Sequence, residues 1–245
     1  MRLTVRHPVF LSAGWHDLLF ANYVVDPEIL TPFVPQGVEL DLYDGDCYVS
    51  LVAFRFCNTK VFGVPAFSKR DFDEVNLRFY VNRTLPDGKD RSGVVFIQEI
   101  VPSRLVAWVA RVFYGENYIA MNMEHEITPT KNQAKAVSYQ CGVNSPNNRI
   151  SAVVSPKTSI YRDEGLESYI TEHYWGYSGS PQTRTVEYEV KHPRWPVNEV
   201  SEHSIDFDFV GIYGKPYRLL SETEPTSVFY CQGSDVTVHL GTRIL

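Results

Sequence analysis

The sequence predicts a mainly β (α+β) fold, a closed or nearly closed β-barrel with a few peripheral helices, and three observations predict it. Aromatic residues make up 13% of the 245 residues, a share that suits pleated surfaces and lined pockets better than a helical bundle. Short β-rich runs alternate with Gly, Pro, Asp and Asn turn signals along most of the chain. No period of solenoid or propeller length repeats, so the strands themselves must supply the organisation. With 44% hydrophobic residues the chain can build a substantial core without disulfides or metals. No linker interrupts it, and a single domain over 1–245 is the expectation.

The elements follow in order. Residues 15–25 (WHDLLFANYVV) form an apolar segment, after which Asp26 caps and Pro27 opens a short helix reaching about Phe33, where Pro35 stops it. Residues 38–42 and 47–56 flank Asp44-Gly45 and read as a hairpin. Residues 57–72 read as a long loop. Residues 74–81 (EVNLRFYV) and 93–100 (GVVFIQEI) form strands across a Pro86-Asp87-Gly88 turn, and 105–114 (LVAWVARVFY) reads as a third. Strands at 118–127 and 134–143 extend the sheet, and 151–161 adds an edge. Residues 164–173 have helical spacing, 177–182 is loop, and 184–192 alternates again. Residues 198–213 fit a helix or a strand equally, and 227–240 reads as a closing strand pair.

Charge and composition exclude several functions. The chain carries 23 basic and 29 acidic side chains, a net charge of −6, and has no Lys/Arg block, so no nucleic-acid partner is expected. The longest apolar run, 105–114, is broken by Arg111 and is half of the ~20 residues a membrane span needs. No membrane partner is expected, and with no export signal legible at the N-terminus the expected location is cytoplasmic. Cys47, Cys57, Cys141 and Cys231 are far apart with no C-x-x-C, which fits reduced thiols. No histidine pair has metal-ligand spacing, so neither metal nor other cofactor is expected. His173 beside Tyr174-Trp175 and His192 near Trp195 either rim a pocket or are satisfied, partly buried imidazoles.

The chemistry concentrates in 74–81. Glu74, Asn76, Arg78 and Tyr80 share one face of that strand, and Val75, Leu77, Phe79 and Val81 share the other. Either the polar row faces water, or it lines a barrel lumen as a small-molecule site. Arg111 favours the lumen. Read as part of a strand buried on both faces, it needs a carboxylate or a ligand anion, and Glu74 is the nearest acidic candidate. Such a pair is either a structural ion pair or half of an acid/base and anion-binding site.

Several stretches resemble the YqjF-like proteins of the acetoacetate decarboxylase-like superfamily: 15–20 (WHDLLF), 24–30 (VVDPEIL), 34–38 (VPQGV), 72–81 (FDEVNLRFYV), Ala110-Arg111, 118–121 (YIAM) and 191–195 (KHPRW). The resemblance implies a β-barrel-centred fold with a pocket in or at the mouth of the barrel, and by analogy a homo-oligomer. It does not carry the decarboxylase activity across. Against the superfamily's G-R-E-x-x-G-x-P-K-K motif, Arg111 and Gly115 match, while Tyr118 and Ile119 stand at the two lysine positions. A phenol cannot form an iminium with a ketone, so a Schiff base would need Lys60 or Lys69 to enter from elsewhere. The expected site is therefore catalytic Glu74 (acid/base), Arg111 (anion) and Tyr118 (hydrogen bond to a carbonyl or enolate oxygen), with Asn76, Arg78, Tyr114 and Met121 binding ligand. The expected partner is a small organic acid or carbonyl compound, with a lyase, isomerase or hydrolase step. The alternative is a barrel that binds or senses such a molecule without turning it over.

Overall fold

The computed structural model describes residues 7–66, 70–130, 134–142, 148–158 and 165–244, without the side chains of positions 110, 113, 114 and 158. Fifteen strands are present among them: β1 (Val9–Val25), β2 (Glu39–Leu40), β3 (Cys47–Val61), β4 (Val64–Pro65), β5 (Phe72–Thr84), β6 (Asp90–Val101), β7 (Tyr118–Ala120), β8 (Met123–Pro129), β9 (Lys135–Cys141), β10 (Asn148–Thr158), β11 (Trp175–Ser178), β12 (Val186–Lys191), β13 (Val197–Phe207), β14 (Ser227–His239) and β15 (Thr242–Arg243). The helices are α1 (Arg104–Tyr114), α2 (Leu166–Thr171), α3 (Phe209–Tyr213) and α4 (Leu219–Glu222).

Strand pairing runs β12-β11-β6-β5-β3-β1-β14, and β14 pairs back with β12 through Val190 and Val238, which closes a ring of seven strands. Beyond β14 the sheet continues as β13-β10-β9-β8 and folds over the outside of the ring. Strands β1, β3 and β5 are therefore buried on both faces. Leu18 and Phe20 of β1, with Val52 and Phe54 of β3, join the inner cluster. Leu19, Ala21, Leu51, Val75, Leu77 and Phe79 join the outer one, against Val137, Tyr139 and Ile150 of the returning sheet. Since hydrocarbon covers the outer face of β5, its polar row must point into the ring.

Asp26 accepts a bond from the Glu28 amide at 2.9 Å and starts two consecutive 3-10 turns, Pro27–Ile29 and Thr31–Phe33, in place of one helix. The Asp44-Gly45 turn closes only a single Tyr43–Asp46 bridge. Strand β2 pairs with β5 instead, because β3 is already flanked by β1 and β5 and the edge of β5 beyond Phe79 is open. Much of the expected 57–72 loop is structured, with β3 running on to Val61 and turning back through β4. Strand β10 is no edge, since β9 and β13 flank it. Both readings of 198–213 hold in succession, as β13 and then α3. Residues 227–239 form one long strand, and β11 takes in 177–178, the first two positions of the expected 177–182 loop.

The largest correction is at 105–114, which is helix α1 rather than a strand. Pro102-Ser103 and Gly115 punctuate it as a helix: Ser103 is extended at the N-cap, and Gly115 takes the left-handed conformation (φ 69°) at the C-cap. Ala107 is buried on the inner side while Leu105, Trp108 and Val112 are more than half exposed. A helix bearing Arg111 on its open side has no need of a buried partner for it.

Candidate active site

The ring encloses a cavity of about 360 Å³, a size typical of small-molecule sites. One wall is polar. Asn76 on β5 is directly opposite Glu99 on β6, and Glu99 is opposite Tyr118 on β7, so register alone sets an amide, a carboxyl and a phenol side by side. Glu74, next up the same face of β5, accepts from Asn76 Nδ2 at 3.0 Å and from the Tyr118 hydroxyl at 3.1 Å. Glu116, just past the α1 cap, accepts from the Tyr188 hydroxyl at 2.7 Å. Tyr188 reaches it by crossing Gly176, where a Cβ would lie 2.1 Å from the Tyr188 ring. The glycine is what admits the ring.

Glu74, Glu99 and Glu116 are at most 6% exposed, and none forms an ion pair with a cation among the described residues. Burial pushes Glu74 up to about 7, against the hydrogen bonds of Asn76 and Tyr118 and the more distant charge of Arg78. Burial likewise pushes Glu116 up to about 8, helped by the charge of Glu74. Glu99 is driven well above the carboxylate range by burial and then by the charges of Glu116 and Glu74, and its buried Oε2 has no hydrogen-bond partner among the described residues. Burial also holds the Tyr118 hydroxyl protonated. The wall is a set of donors and shared protons rather than fixed negative charges.

Arg78 supplies the cation. Its half-buried guanidinium donates to the Ile170 carbonyl at 3.1 Å and lies 5.3 Å from the Phe20 ring centroid. Its Nε is buried without a partner, and no carboxylate forms an ion pair with it among the described residues. His173 and His192 line the same cavity. His173 is buried against Tyr80 and Tyr169 and hydrogen-bonds Asp41 at 3.2 Å, with burial lowering its pKa. His192 stacks on Trp195 with 4.0 Å between centroids, and burial pushes it down to about 4. Both imidazoles are neutral at pH 7.

Of the residues expected from sequence, Glu74, Asn76, Arg78 and Tyr118 line the cavity. Arg111 does not. Its side chain is exposed on α1 and donates to the Tyr118 backbone carbonyl, so the Glu74–Arg111 pair does not exist. It bears on the site only by holding β7 to the end of α1. Met121 packs against the outer core, because alternation along 118–121 sends Tyr118 and Met121 to opposite faces. The Tyr114 side chain is outside the described set. Lys60 is exposed and not among the lining residues, and Lys69 is outside the described residues, so no described lysine reaches the cavity.

Sequence reading missed Glu99, Glu116 and Tyr188. Strict alternation from Val94 and Phe96 sends Gln98 inward. A β-bulge at Ile97, between the Arg78–Phe96 and Leu77–Gln98 pairings, brings Glu99 inward instead. For Glu99, an acid in a mainly apolar strand was the available signal. Among the described residues no group of three or more His, Cys, Asp or Glu could hold a metal ion, and no helix is long and apolar enough to cross a membrane.

The fold is that of the acetoacetate decarboxylase-like enzymes. Acetoacetate decarboxylase from Legionella pneumophila matches over 100% of this chain and 91% of its own, with a TM-score of 0.63 and 13% identity. The enduracididine biosynthesis enzyme MppR complexed with pyruvate matches over 98% and 91%, with a TM-score of 0.62 and 14% identity. At that identity the likeness is one of fold. A family model narrows this: over residues 12–235 the chain matches DUF2071, described as an uncharacterised conserved protein, and it belongs to that family. The uncharacterised protein YqjF of Bacillus subtilis (strain 168) is 31% identical over 168 residues, covering 67% of this chain and 65% of YqjF, just under two thirds of that relative's length.

Proposed function

We propose that the cavity binds a small organic acid bearing a carbonyl group and moves a proton on the carbon beside that carbonyl. The observation that carries this is the Tyr118–Glu74 hydrogen bond of 3.1 Å on a wall that also presents the guanidinium of Arg78. With Glu116 mostly and Glu74 about half protonated at pH 7 and Glu99 raised well above the carboxylate range, the charge of Arg78 brings the cavity close to neutral, which admits an anion. Arg78 takes the carboxylate, a role the sequence had suggested for Arg111. Tyr118 donates to the carbonyl oxygen and stabilises the enolate that forms there. Glu74, with a pKa of about 7, is suited to take the α-proton and return it. The chain thereby performs enol chemistry without an amine, and the reaction class is an isomerase, lyase or hydrolase step that passes through an enolate.

The experiment follows deuterium wash-in at the α-carbon of 2-oxo acids by NMR. The wild-type protein exchanges, Glu74→Gln binds without exchanging, and Arg78→Met binds at least tenfold more weakly. Borohydride trapping adds nothing to the protein; covalent capture would overturn this reading of Tyr118. One observation favours a second reading, a non-catalytic binding barrel: no described lysine lines the cavity. Binding without exchange in the wild type would decide for it. Oligomeric assembly and cytoplasmic location are proposed with either reading, on the superfamily analogy and the sequence alone.

A further inference from the structure

We infer that the ligand is an amphiphile, an acid carrying a long alkyl or aryl body, and not an acid of pyruvate size. This rests on the functional reading above and extends it to substrate class. A three-carbon keto acid takes roughly 100 Å³, about the share of three waters, so it would leave most of the 360 Å³ empty. Most of the remaining lining is apolar and is not evenly spread. On the cavity face of β5 the order is Arg78, Asn76, Glu74, Phe72, a run of ~20 Å at the usual strand rise. The cation is at one end. At the other, Phe72 stacks on Phe56 with 4.5 Å between centroids, and Leu11, Val61 and Ala66 complete an apolar chamber. The carbonyl-facing pair Glu74 and Tyr118 falls between these ends, so a ligand with its carboxylate on Arg78 and its carbonyl on Tyr118 is directed into the apolar chamber. Two buried polar atoms there, Thr59 Oγ1 and Trp15 Nε1, have no partner among the described residues and accommodate an oxygen substituent on that body.

Calorimetric titration of the full chain with pyruvate, 2-oxohexanoate and 2-oxodecanoate tests this, with 1-decanol as the uncharged control. Affinity should rise about fourfold per methylene, the equivalent of ~0.8 kcal/mol each, until the chamber is full. Val61→Trp should abolish the gain for 2-oxodecanoate, with a wild-type urea-unfolding midpoint showing that the variant is folded, and a gain retained in the folded variant would overturn the inference. Pyruvate binding as tightly as 2-oxodecanoate would overturn the inference and leave the functional reading standing. Decanol binding as tightly as the acid, or no acid binding at any length, would overturn the functional reading and this inference with it.

Discussion

Two sets of buried carboxylates in this protein live under opposite rules. Asp17 and Glu187 are surrounded by cations: Lys135 is 2.9 Å and Arg55 3.5 Å from Asp17, and Arg83 at 2.7 Å together with Arg91 holds Glu187. Burial alone would raise Asp17, but the Tyr230 hydroxyl at 2.6 Å and the two cations outweigh it and its pKa is lowered. Glu74, Glu99 and Glu116 are buried as deeply, have no such cations, and are all raised. The first set is compensated and tethers strands together. The second is uncompensated and faces an open cavity, an arrangement that costs stability and that function explains better than folding does.

The largest expected effect breaks the compensated set. Asp17→Asn strands Lys135 and Arg55 and should cost about 2–3 kcal/mol in urea unfolding, whereas Glu99→Gln removes a group that already holds its proton and should be neutral or slightly stabilising. Equal losses from the two would erase the distinction. Next comes pH. In the folded chain Glu74 and Glu116 titrate near 7 and 8, above the ordinary 4.5. The folded state thus holds extra protons between those values. The stability these groups contribute is complete below about pH 4.5 and is lost as pH rises through 7 and 8. The Glu74→Gln/Glu116→Gln double variant should flatten the slope, and an unchanged slope would place the protons elsewhere.

A smaller effect probes how Glu116 is held. Gly176→Ala pushes the Tyr188 ring off its path and should cost about 1–2 kcal/mol, while Tyr188→Phe removes one hydrogen bond at about 1 kcal/mol and should move the Glu116 titration upward. The smallest belongs to Arg111→Met, which should alter stability by no more than about 0.5 kcal/mol and leave ligand affinity unchanged, in contrast to Arg78→Met.

How far the sequence revealed this site depended on local regularity. The polar row of β5 was legible because thirteen residues run without a bulge on that strand and alternation holds. What alternation could not reveal was which side was covered, since the covering strands β8, β9 and β10 are distant in sequence. Helix α1 was misread because Val106, Val109 and Val112 suit a strand, and its caps, Ser103 and Gly115, were weaker signals than its β-branched content. That single error put Arg111 in the interior and gave it the role of Arg78. Glu99 stayed hidden behind the bulge at Ile97, a feature set by tertiary pairing with β5 and β7. The barrel-centred fold itself survived these errors because it rests on many strands at once.

The central claim is that the cavity carboxylates hold protons above the ordinary carboxylate range while cation-bound Asp17 gives its proton up below it. Carbon-13 NMR titration of the side-chain carboxyls of the ligand-free protein tests it directly. The account predicts Glu74 titrating near 7, Glu116 near 8, Glu99 remaining protonated beyond the ordinary carboxylate range, and Asp17 ionised below its usual 3.8. Three cavity glutamates titrating between about 4 and 5, alongside the surface acids, would contradict it.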